Sequence, residues 1–372
     1  MQKTLHIVSF NVPYPADYGG VVDVYHRIRS LAALGVRLHL HCYTYGRPPA
    51  KELEQYCDSV QYYQRDTSPL RLLDREPYIV SSRRNKQLLN DLRKDEHPIL
   101  LEGLHCCALL DGVDPERCYV RAHNVEHEYY ARLADAEQKM LRRIYLRSDA
   151  RKLKRYEPQL LKAKGIFAVT EADAAHFRSL GCRNVWLMPS SHNNDEIRAQ
   201  VGCGSYTLYH ADLSVPENIQ AAIYLMDNIF SNSPHRLIIA GRHPDERVRS
   251  RADQMDNVEL VDTPSDDEMK RLMTEAQVHI LVTNQPTGLK LKLLNSLYAG
   301  RHILVNSQMV AGTALGAVCT VADTAEAQRD ALDRLMTQPF SEDDIAQRKK
   351  LIGELYSNEA NAKVLVQNIF GE

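Results

Sequence analysis

The sequence lacks the features that would tie it to a membrane core, an oxidising compartment or nucleic acid. No apolar run approaches the roughly 20 residues that a transmembrane helix needs, and the apolar segment near the N-terminus is too short for a signal-peptide core. The 8 cysteines are scattered and form no C-x-x-C pair, which favours a reducing compartment. Because the formal net charge is only −2, no overall field would attract nucleic acid. We therefore expect a cytoplasmic protein without nucleic-acid partners.

Two common site signatures are also missing. There is no G-x-G-x-x-G motif, so a dinucleotide cofactor is poorly supported. His123 and His127 lie four residues apart beside carboxylates and in that respect imitate a metal site, but the zinc motif H-E-x-x-H is absent. The sequence therefore predicts neither a metal nor a bound cofactor.

What is present is an alternation of short apolar runs with amphipathic segments of helix length. This alternation is typical of parallel sheets with crossover helices. With 372 residues and 44% hydrophobic content, the chain is long enough for two domains with cores of their own. The pattern is interrupted between residues 189 and 205, which we interpret as a linker. We predict an α/β protein with two Rossmann-like, doubly wound domains at residues 1–190 and 203–342.

The loop between the first predicted strand and the first predicted helix contains the pair Gly19 and Gly20. Paired glycines allow a ligand to approach the backbone closely, and the N–H groups at a helix N-terminus attract anions. A tight strand-to-helix turn would explain the pair equally well. The loop is therefore a candidate binding element that the glycines alone do not establish.

A second candidate is the segment 121–128, which follows a predicted strand and contains His123 and Glu126. Open α/β sheets bind ligands beyond the carboxyl ends of their strands. Titratable side chains at this place can move protons or form hydrogen bonds with a sugar. A structural histidine is the alternative explanation.

The second half of the chain carries two candidate phosphate-binding elements. A predicted strand ends at Arg242, whose guanidinium group suits an oxyanion, although an exposed surface arginine fits as well. Residues 287–305 form the more specific pattern: a helix led by Gly288, with Lys290 and Lys292 in its predicted first turn. Cations are disfavoured at the positive end of a helix dipole, so this pair predicts a bound diphosphate. Solvated lysines on a helix face are the alternative.

The stretch 287–305 resembles the donor-site helix of retaining GT-B glycosyltransferases of the group 1 type. The usual form of that helix is G-x-K-x-K-x-L-E-A-x-x-x-G-x-P-V-V. Residues 166–189 and 206–218 are similar to further blocks of the family, and only residues 47–98 show no resemblance. The resemblance implies two domains that face each other across a cleft, the first on the acceptor side. It also implies that a C-terminal helix within residues 343–372 returns to the first domain.

The same resemblance implies a reaction and roles for individual residues. The substrates would be a nucleotide-sugar donor and a glycan or lipid-linked acceptor, and transfer would proceed with retention and without a metal. His123 matches the family histidine that lies over the donor sugar. An inverting enzyme would need a general base, for which Asp17 and Glu126 are candidates. The residues assigned to the donor are Gly19, Gly20, Arg242, Thr287, Gly288, Lys290, Lys292 and Asn295.

Two departures from the family pattern leave other functions open. The common pattern has two glutamates eight positions apart, where this chain has Thr287 and Asn295. Asn295 can still form a hydrogen bond with a ribose, but Thr287 cannot replace a carboxylate. Residues 210–214 also lack the frequent Gly-Arg…Lys pair. The alternatives are a nucleotide-sugar epimerase on the same fold and a non-catalytic GT-B-like protein that binds glycans or a partner protein.

The segment 139–164 is strongly basic, with ten lysines and arginines, and we predict that it forms one long helix. Such a helix is suited to the anionic surface at the inner face of a membrane, where each nearby cation contributes on the order of 1 kcal/mol. That location would bring the protein to a lipid-linked acceptor. A solvated helix face is the simpler explanation.

Overall fold

A computed structural model describes residues 2–285 and 288–371 of the chain. The chain divides into two compact units. The first unit consists of residues up to 193, residues 288–289 and residues from 354 onwards; the second consists of residues 194–285 and 290–353. Within the described residues, no helix combines the length and the apolar character needed to cross a lipid bilayer.

The first unit is built on a seven-stranded, entirely parallel sheet. Its strands are β1 (Thr4–Ser9), β2 (Arg37–Thr44), β3 (Ser59–Gln64), β4 (Ile99–Glu102), β5 (Cys118–Ala122), β6 (Gly165–Ala168) and β7 (Val185–Leu187). They lie in the order β3-β2-β1-β4-β5-β6-β7, so the winding direction reverses between β1 and β4. Strands β1, β4, β5 and β6 are buried along their whole length, which explains their nearly continuous apolar sequences.

Helices connect these strands. They are α1 (Gly19–Ala33), α2 (Tyr78–Ser81), α3 (Lys86–Leu92), α4 (Glu126–Ala136), α5 (Met140–Tyr156) and α6 (Glu171–Leu180). In α1, Val21, Val24 and Ile28 recur at helical spacing and are fully buried. Helix α6 is capped at its start, because the Thr170 hydroxyl accepts a hydrogen bond from the Asp173 N–H.

Two features of the first unit differ from what the sequence predicts. The basic segment 139–164 is not one helix, because α5 ends at Tyr156 and a 3₁₀ helix follows at Glu157–Lys162. Pro158 lies in the first turn of that 3₁₀ helix, and it lacks the N–H that the interior of an α-helix requires. Strand β3 was not predicted, because this edge strand is rich in polar residues and only partly buried.

The second unit contains a six-stranded parallel sheet. Its strands are β8 (Thr207–His210), β9 (Leu237–Gly241), β10 (Val258–Asp262), β11 (Val278–Leu281), β12 (His302–Val305) and β13 (Thr320–Val321). Their order is β10-β9-β8-β11-β12-β13. Both sheets therefore share the Rossmann order over their first six strands, which confirms the prediction of two doubly wound α/β domains.

The helices of the second unit follow the same alternation. They are α7 (Pro216–Leu225), α8 (Glu246–Ala252), α9 (Asp266–Glu275), α10 (Leu291–Ala299), α11 (Ser307–Val310), α12 (Ala325–Thr337) and α13 (Glu342–Leu355). Helix α9 is capped at its start, because the Ser265 hydroxyl accepts a hydrogen bond from the Glu268 N–H at 3.2 Å.

The C-terminal segment differs from the single helix predicted for it. It forms α13 and a further helix, α14 (Asn358–Phe370), separated by a short turn. Ser357 caps α14 by accepting a hydrogen bond from the Ala360 N–H. Leu365 and Ile369 of α14 are buried in the core of the first unit, whereas α13 belongs to the second unit up to Gly353.

Candidate functional site

Five ionisable side chains come together at the carboxyl edge of the first sheet. We call them the buried charge cluster: Asp23 and Arg27 from α1, Glu102 from β4, Arg121 from β5, and His123 just after β5. Asp23 Oδ2 lies 2.9 Å from Arg27 Nη2 and 3.1 Å from Arg121 Nε. Glu102 Oε2 lies 3.4 Å from Arg27 Nη2. Apart from His123, all are almost completely excluded from solvent, so their charges are compensated within the cluster.

His123 joins this cluster through both ring nitrogens. Its Nε2 lies 3.0 Å from Glu102 Oε2, and its Nδ1 lies 3.3 Å from Asp23 Oδ2. A neutral imidazole has one N–H, whereas the protonated ring has two and can donate to both carboxylates. Burial acts to lower the pKa of His123, but the hydrogen bonds and charges of Asp23 and Glu102 raise it above its ordinary value. The arrangement favours a positively charged ring over one that accepts a proton from a substrate.

The β1–α1 loop approaches the cluster through Phe10. The Phe10 ring packs edge-on against His123, with 5.5 Å between centroids, and a Cβ atom at Gly20 would lie only 2.7 Å from Phe10 Cζ. This close approach explains the need for glycine at position 20. Gly19 is exposed as the first residue of α1, whose N-terminus has no side-chain cap and no acidic residue in its first turn. The N–H groups of this turn are thus suited to an anion.

The two candidate bases have different surroundings. Asp17 lies on the β1–α1 loop, where its Oδ1 accepts a hydrogen bond from Arg47 Nη1 at 2.7 Å. Glu126 is the first residue of α4 and is buried. Burial raises the pKa of Glu126 to about 7, while His123 acts in the opposite direction. Neither carboxylate belongs to the buried charge cluster.

A second histidine, His105, lies beside the cluster and was not predicted from the sequence. Gly103 has a φ of 75° and turns the chain after β4, and a Cβ atom there would lie 2.7 Å from His105 Nδ1 and 3.6 Å from His123 Cδ2. The His105 ring also packs against Phe10, with 5.2 Å between centroids. Burial, together with the positive charges of Arg83 and His123, holds the pKa of His105 well below its ordinary value. His105 is therefore neutral, in contrast to His123, whose pKa is raised.

Gly288 groups with the first unit, and Thr287 lies outside the described residues. Gly288 has a φ of 67°, in the left-handed region that favours glycine. A Cβ atom at this position would lie 2.3 Å from Asn124 Oδ1. The predicted glycine is thus needed for its backbone conformation and for close packing against the segment that carries His123.

In the second unit, α10 begins with a lysine on each side of its first residue. The helix starts at Leu291, so Lys290 is the N-cap residue and, in contrast to the prediction, only Lys292 lies within the first turn. The N-cap residue forms no capping hydrogen bond through its side chain, and the first turn contains no acidic residue. The N-terminus of α10 thus keeps its partial positive charge beside a lysine.

Lys292 is held mainly by neutral groups. Its Nζ donates a hydrogen bond to Asn218 Oδ1 at 3.0 Å and lies 5.5 Å from the centroid of the Tyr209 ring. Burial lowers the pKa of Lys292 to about 8, against the attraction of Glu217. A cation with a lowered pKa next to a helix N-terminus gains from a bound anion.

Arg242 and Asn295 are held by other parts of the second unit. Arg242 follows β9 and has an exposed side chain, while its carbonyl oxygen accepts a hydrogen bond from the Leu213 N–H at 2.9 Å. Because Leu213 lies in the loop between β8 and α7, Arg242 and Lys292 both border the segment 211–218. Asn295 Oδ1 accepts a hydrogen bond from Asn194 Nδ2 at 2.8 Å.

The segment 210–214, which replaces the usual basic pair of the family, begins in the protein core. His210 Nε2 lies 2.9 Å from Ser296 Oγ, which lies 2.8 Å from His279 Nδ1. Burial lowers the pKa of His210 to about 3 and that of His279 to about 4, so both rings are neutral. His210 therefore supports α10 against the sheet and supplies no charge to a ligand.

Known proteins resemble this chain mainly in fold. No family model matches it. An "uncharacterized 44.6 kDa protein in cps region" of Klebsiella pneumoniae is 24% identical over 345 residues, which span 86% of this chain and 85% of that protein. The apo form of WaaB, a lipopolysaccharide outer core galactosyltransferase, aligns with a TM-score of 0.66 and 10% identity over 99% of each chain.

A second solved structure agrees with this result. WaaG, a glycosyltransferase involved in lipopolysaccharide biosynthesis, aligns with a TM-score of 0.65 and 15% identity over 99% of this chain and 100% of its own. The fold of this chain, with its two parallel-sheet Rossmann-like domains, is therefore that of the GT-B glycosyltransferases.

Proposed function

We propose that the protein is a glycosyltransferase that moves a sugar from a nucleotide-diphosphate donor to a glycan or lipid-linked acceptor. The observation that carries this proposal is Lys292, a cation with a lowered pKa at the positive end of α10. Both conditions disfavour the cation alone, and a bound anion relieves both. The GT-B fold supports glycosyl transfer, and the lipopolysaccharide roles named for WaaB and WaaG support a glycan or lipid-linked acceptor.

In this proposal the second unit stabilises the leaving diphosphate. Negative charge builds up on the leaving oxygen as the glycosidic bond breaks, and preorganised donors and cations lower the free energy of that state. Lys290, Lys292 and Arg242 supply the positive charge, and the N-terminus of α10 supplies N–H groups. Because side chains and backbone perform this task, we propose a metal-independent reaction. Removal of one such contact is expected to cost about 3 kcal/mol of transition-state stabilisation.

The contacts of His123 within the buried charge cluster are an argument for transfer with retention. Both nitrogens of His123 face protein carboxylates, so neither is free to act as a base. We propose that His123 instead presents a positive ring beside the reacting sugar. An inverting reaction would need a general base; Glu126 fits that role better than Asp17, which is paired with Arg47.

A thermal-shift screen with UDP-, GDP- and CMP-sugars tests donor binding. One donor class should raise the Tm, because a ligand that binds only the folded state stabilises it. The Lys290→Ala variant should lose this shift. Lys270→Ala should keep it, since Lys270 is an exposed residue of α9 that pairs with Asp267 at 3.1 Å. An unchanged shift in Lys290→Ala would contradict the diphosphate assignment.

The same screen and a product assay separate the alternative functions. A protein that no nucleotide stabilises would be neither a transferase nor an epimerase, which would leave a non-catalytic binding protein. Conversion of the nucleotide-sugar in the absence of an acceptor would indicate an epimerase. NMR analysis of the product anomer decides between retention and inversion.

We further propose that the first unit contacts an anionic membrane through an apolar-basic surface on α5 and the 3₁₀ helix Pro69–Leu73. The two elements adjoin, because Lys152 Nζ donates a hydrogen bond to the Leu72 carbonyl oxygen at 2.8 Å. Each element exposes large apolar side chains, all at least 56% exposed: Leu70 and Leu73 on the 3₁₀ helix, and Met140, Leu141 and Ile144 at the N-terminal end of α5. Basic residues accompany them on α5 and at its N-cap: Lys139, Arg142, Arg143 and Arg147. Exposed apolar and basic side chains together favour an anionic lipid surface.

Vesicle co-sedimentation tests this contact. The protein should pellet with vesicles that contain phosphatidylglycerol and much less with vesicles of phosphatidylcholine alone, and added salt should weaken the binding. Leu141→Ser should reduce the bound fraction, whereas Leu355→Ser, at another exposed leucine, should not. Equal binding to both vesicle types, or none to either, would contradict the proposed contact.

A further inference from the structure

A second group of titratable side chains lies where three helical segments of the first unit meet. We call it the His-Glu-His cluster: His127 in α4, Glu157 at the start of the 3₁₀ helix Glu157–Lys162, and His176 in α6. His127 Nδ1 lies 3.2 Å from Glu157 Oε1, and His176 Nε2 lies 2.9 Å from Glu157 Oε2. One potential ligand atom from each residue lies within 4.8 Å of the other two. The sequence does not show this group, because its members are far apart in the chain; the spacing in the sequence pairs His127 with His123 instead.

The charge around Glu157 favours a cation. Glu157 is buried, and among the described residues its salt bridges are with His127 and His176 alone. Glu126 and Asp173 are also buried nearby, since Asp173 and Glu157 both raise the pKa of Glu126. The buried Glu157 carboxylate therefore gives this corner negative charge that a bound cation can balance.

The ligand atoms suit a transition-metal ion. Two imidazole nitrogens and one carboxylate oxygen form a common protein ligand set for Zn²⁺, which then keeps a position for water. Tetrahedral geometry with bonds of about 2.0–2.2 Å separates neighbouring ligand atoms by about 3.3–3.6 Å. The contacts of 3.2 and 2.9 Å go to different oxygens of Glu157, and one ligand atom from each residue lies within 4.8 Å of the other two, so rotation of these side chains is needed to bring three ligand atoms around one ion. Both histidines are partly exposed, which gives the ion access.

We propose that the His-Glu-His cluster binds one divalent transition-metal ion, with Zn²⁺ as the expected occupant. The ion would join α4, α6 and the segment that follows α5. Because His127 lies in the first turn of α4, the ion would also fix the start of that helix, just after the segment that carries His123. It has no part in sugar transfer, so the site does not depend on the proposed function.

Metal binding by the untagged, full-length protein tests this site directly. The protein is stripped with a chelator, dialysed and titrated with Zn²⁺ in competition with a chromophoric indicator. We expect one tight equivalent, a rise in Tm with Zn²⁺, and the visible absorption of a tetrahedral ion when Co²⁺ is used instead. His127→Gln and His176→Gln should each weaken binding by more than about tenfold, since even outer partners of metal ligands have effects of that size.

His235→Gln is the matched control, because His235 is a similarly exposed histidine that pairs with one carboxylate, Asp333, at 2.7 Å. This variant should bind Zn²⁺ as the wild-type protein does. Unchanged binding in both cluster variants would place the ion elsewhere and overturn the proposal. If the wild-type protein binds no Zn²⁺ tightly, the proposal is also overturned. The cluster would then consist only of the hydrogen bonds between Glu157 and the two histidines. Circular dichroism of the metal-free variants verifies that they are folded, and Glu157→Gln, which keeps a hydrogen-bond acceptor, gives a further variant if either fails to fold.

Discussion

The carboxyl edges of the two sheets hold their charges in opposite ways. In the first unit, Asp23 and Glu102 face Arg27, Arg121 and His123, so each member of the buried charge cluster has an opposite charge beside it. In the second unit, Lys292 contacts an amide and an aromatic ring, and burial lowers its pKa. Both places lie where the winding direction of a doubly wound sheet reverses, the usual position of a ligand. The buried charge cluster is therefore suited to fix the shape of the first unit, whereas Lys292 is suited to bind an anion.

The largest effect on stability is expected when one charge is removed from the buried charge cluster. Asp23→Asn removes the carboxylate that faces Arg27, Arg121 and His123, which leaves buried positive charge uncompensated. We expect the free energy of unfolding to fall by about 3–5 kcal/mol in urea denaturation. Asp333→Asn is the control, because this exposed carboxylate pairs with His235 and should contribute less than about 1 kcal/mol. Similar losses in the two variants would contradict the view of a compensated buried network.

The second prediction concerns the pH dependence of nucleotide binding. The lowered pKa of Lys292, about 8, means that this side chain is charged in the free protein below that pH and loses its charge above it. Nucleoside diphosphate affinity should therefore be nearly constant between about pH 7 and 7.5, where the phosphates are already ionised. Above about pH 8 it should fall by up to about tenfold per pH unit, because binding must then take up a proton. Isothermal titration calorimetry measures the profile, and a flat one up to pH 9.5 would contradict the role of Lys292.

The third prediction concerns the pH dependence of stability in the first unit. The pKa of His123 in the folded protein lies above its ordinary value of 6.5. The stabilisation that this shift provides is therefore fully present below about pH 6.5 and is lost as the pH rises through the folded-state pKa. Urea denaturation should show a larger stability difference between the wild-type protein and His123→Gln at pH 5.5 than at pH 8.5. The reverse order would mean that the ring is neutral in the folded protein.

The smallest effect on stability is expected from Lys292→Met, which is to be compared with the large effect of Asp23→Asn. Because Lys292 has neutral contacts, its replacement leaves no buried charge unpaired and removes a desolvated amine. The free energy of unfolding without ligand should change by less than about 1 kcal/mol, in either direction. A loss similar to that of Asp23→Asn would show that Lys292 stabilises the fold and is not reserved for a ligand.

The sequence predicted the alternation of strands and helices well because buried parallel strands have nearly continuous apolar sequences. It failed where this signal is weak, as in the polar edge strand β3 and at the break before Pro158. Lys290 and Lys292 were found because cations are unusual at a helix N-terminus, and Gly20 was found because it belongs to a glycine pair in a strand-to-helix loop. Asp23 and Arg27 were missed although they lie beside Val24 and Ile28 on the buried side of α1, a placement that signals buried charge.

Long-range partners explain the remaining failures. Glu102 and His105 follow an apolar strand, but only the fold brings them to His123. Glu157 and His176 meet His127 from separate segments, so no spacing in the sequence shows the cluster. The sequence therefore indicates which residues are exceptional, and the topology determines which of them meet.

The role of Lys292 in binding the donor diphosphate is tested most directly by measuring the energetic coupling between this side chain and the second phosphate of the nucleotide. Isothermal titration calorimetry would compare a nucleoside diphosphate with the corresponding monophosphate, for the wild-type protein and for Lys292→Met, at pH 7.5. We predict that the wild-type protein prefers the diphosphate by at least about tenfold and that the variant loses most of this preference, as a direct contact requires. The same preference in both proteins would contradict the assignment of Lys292 to the donor diphosphate.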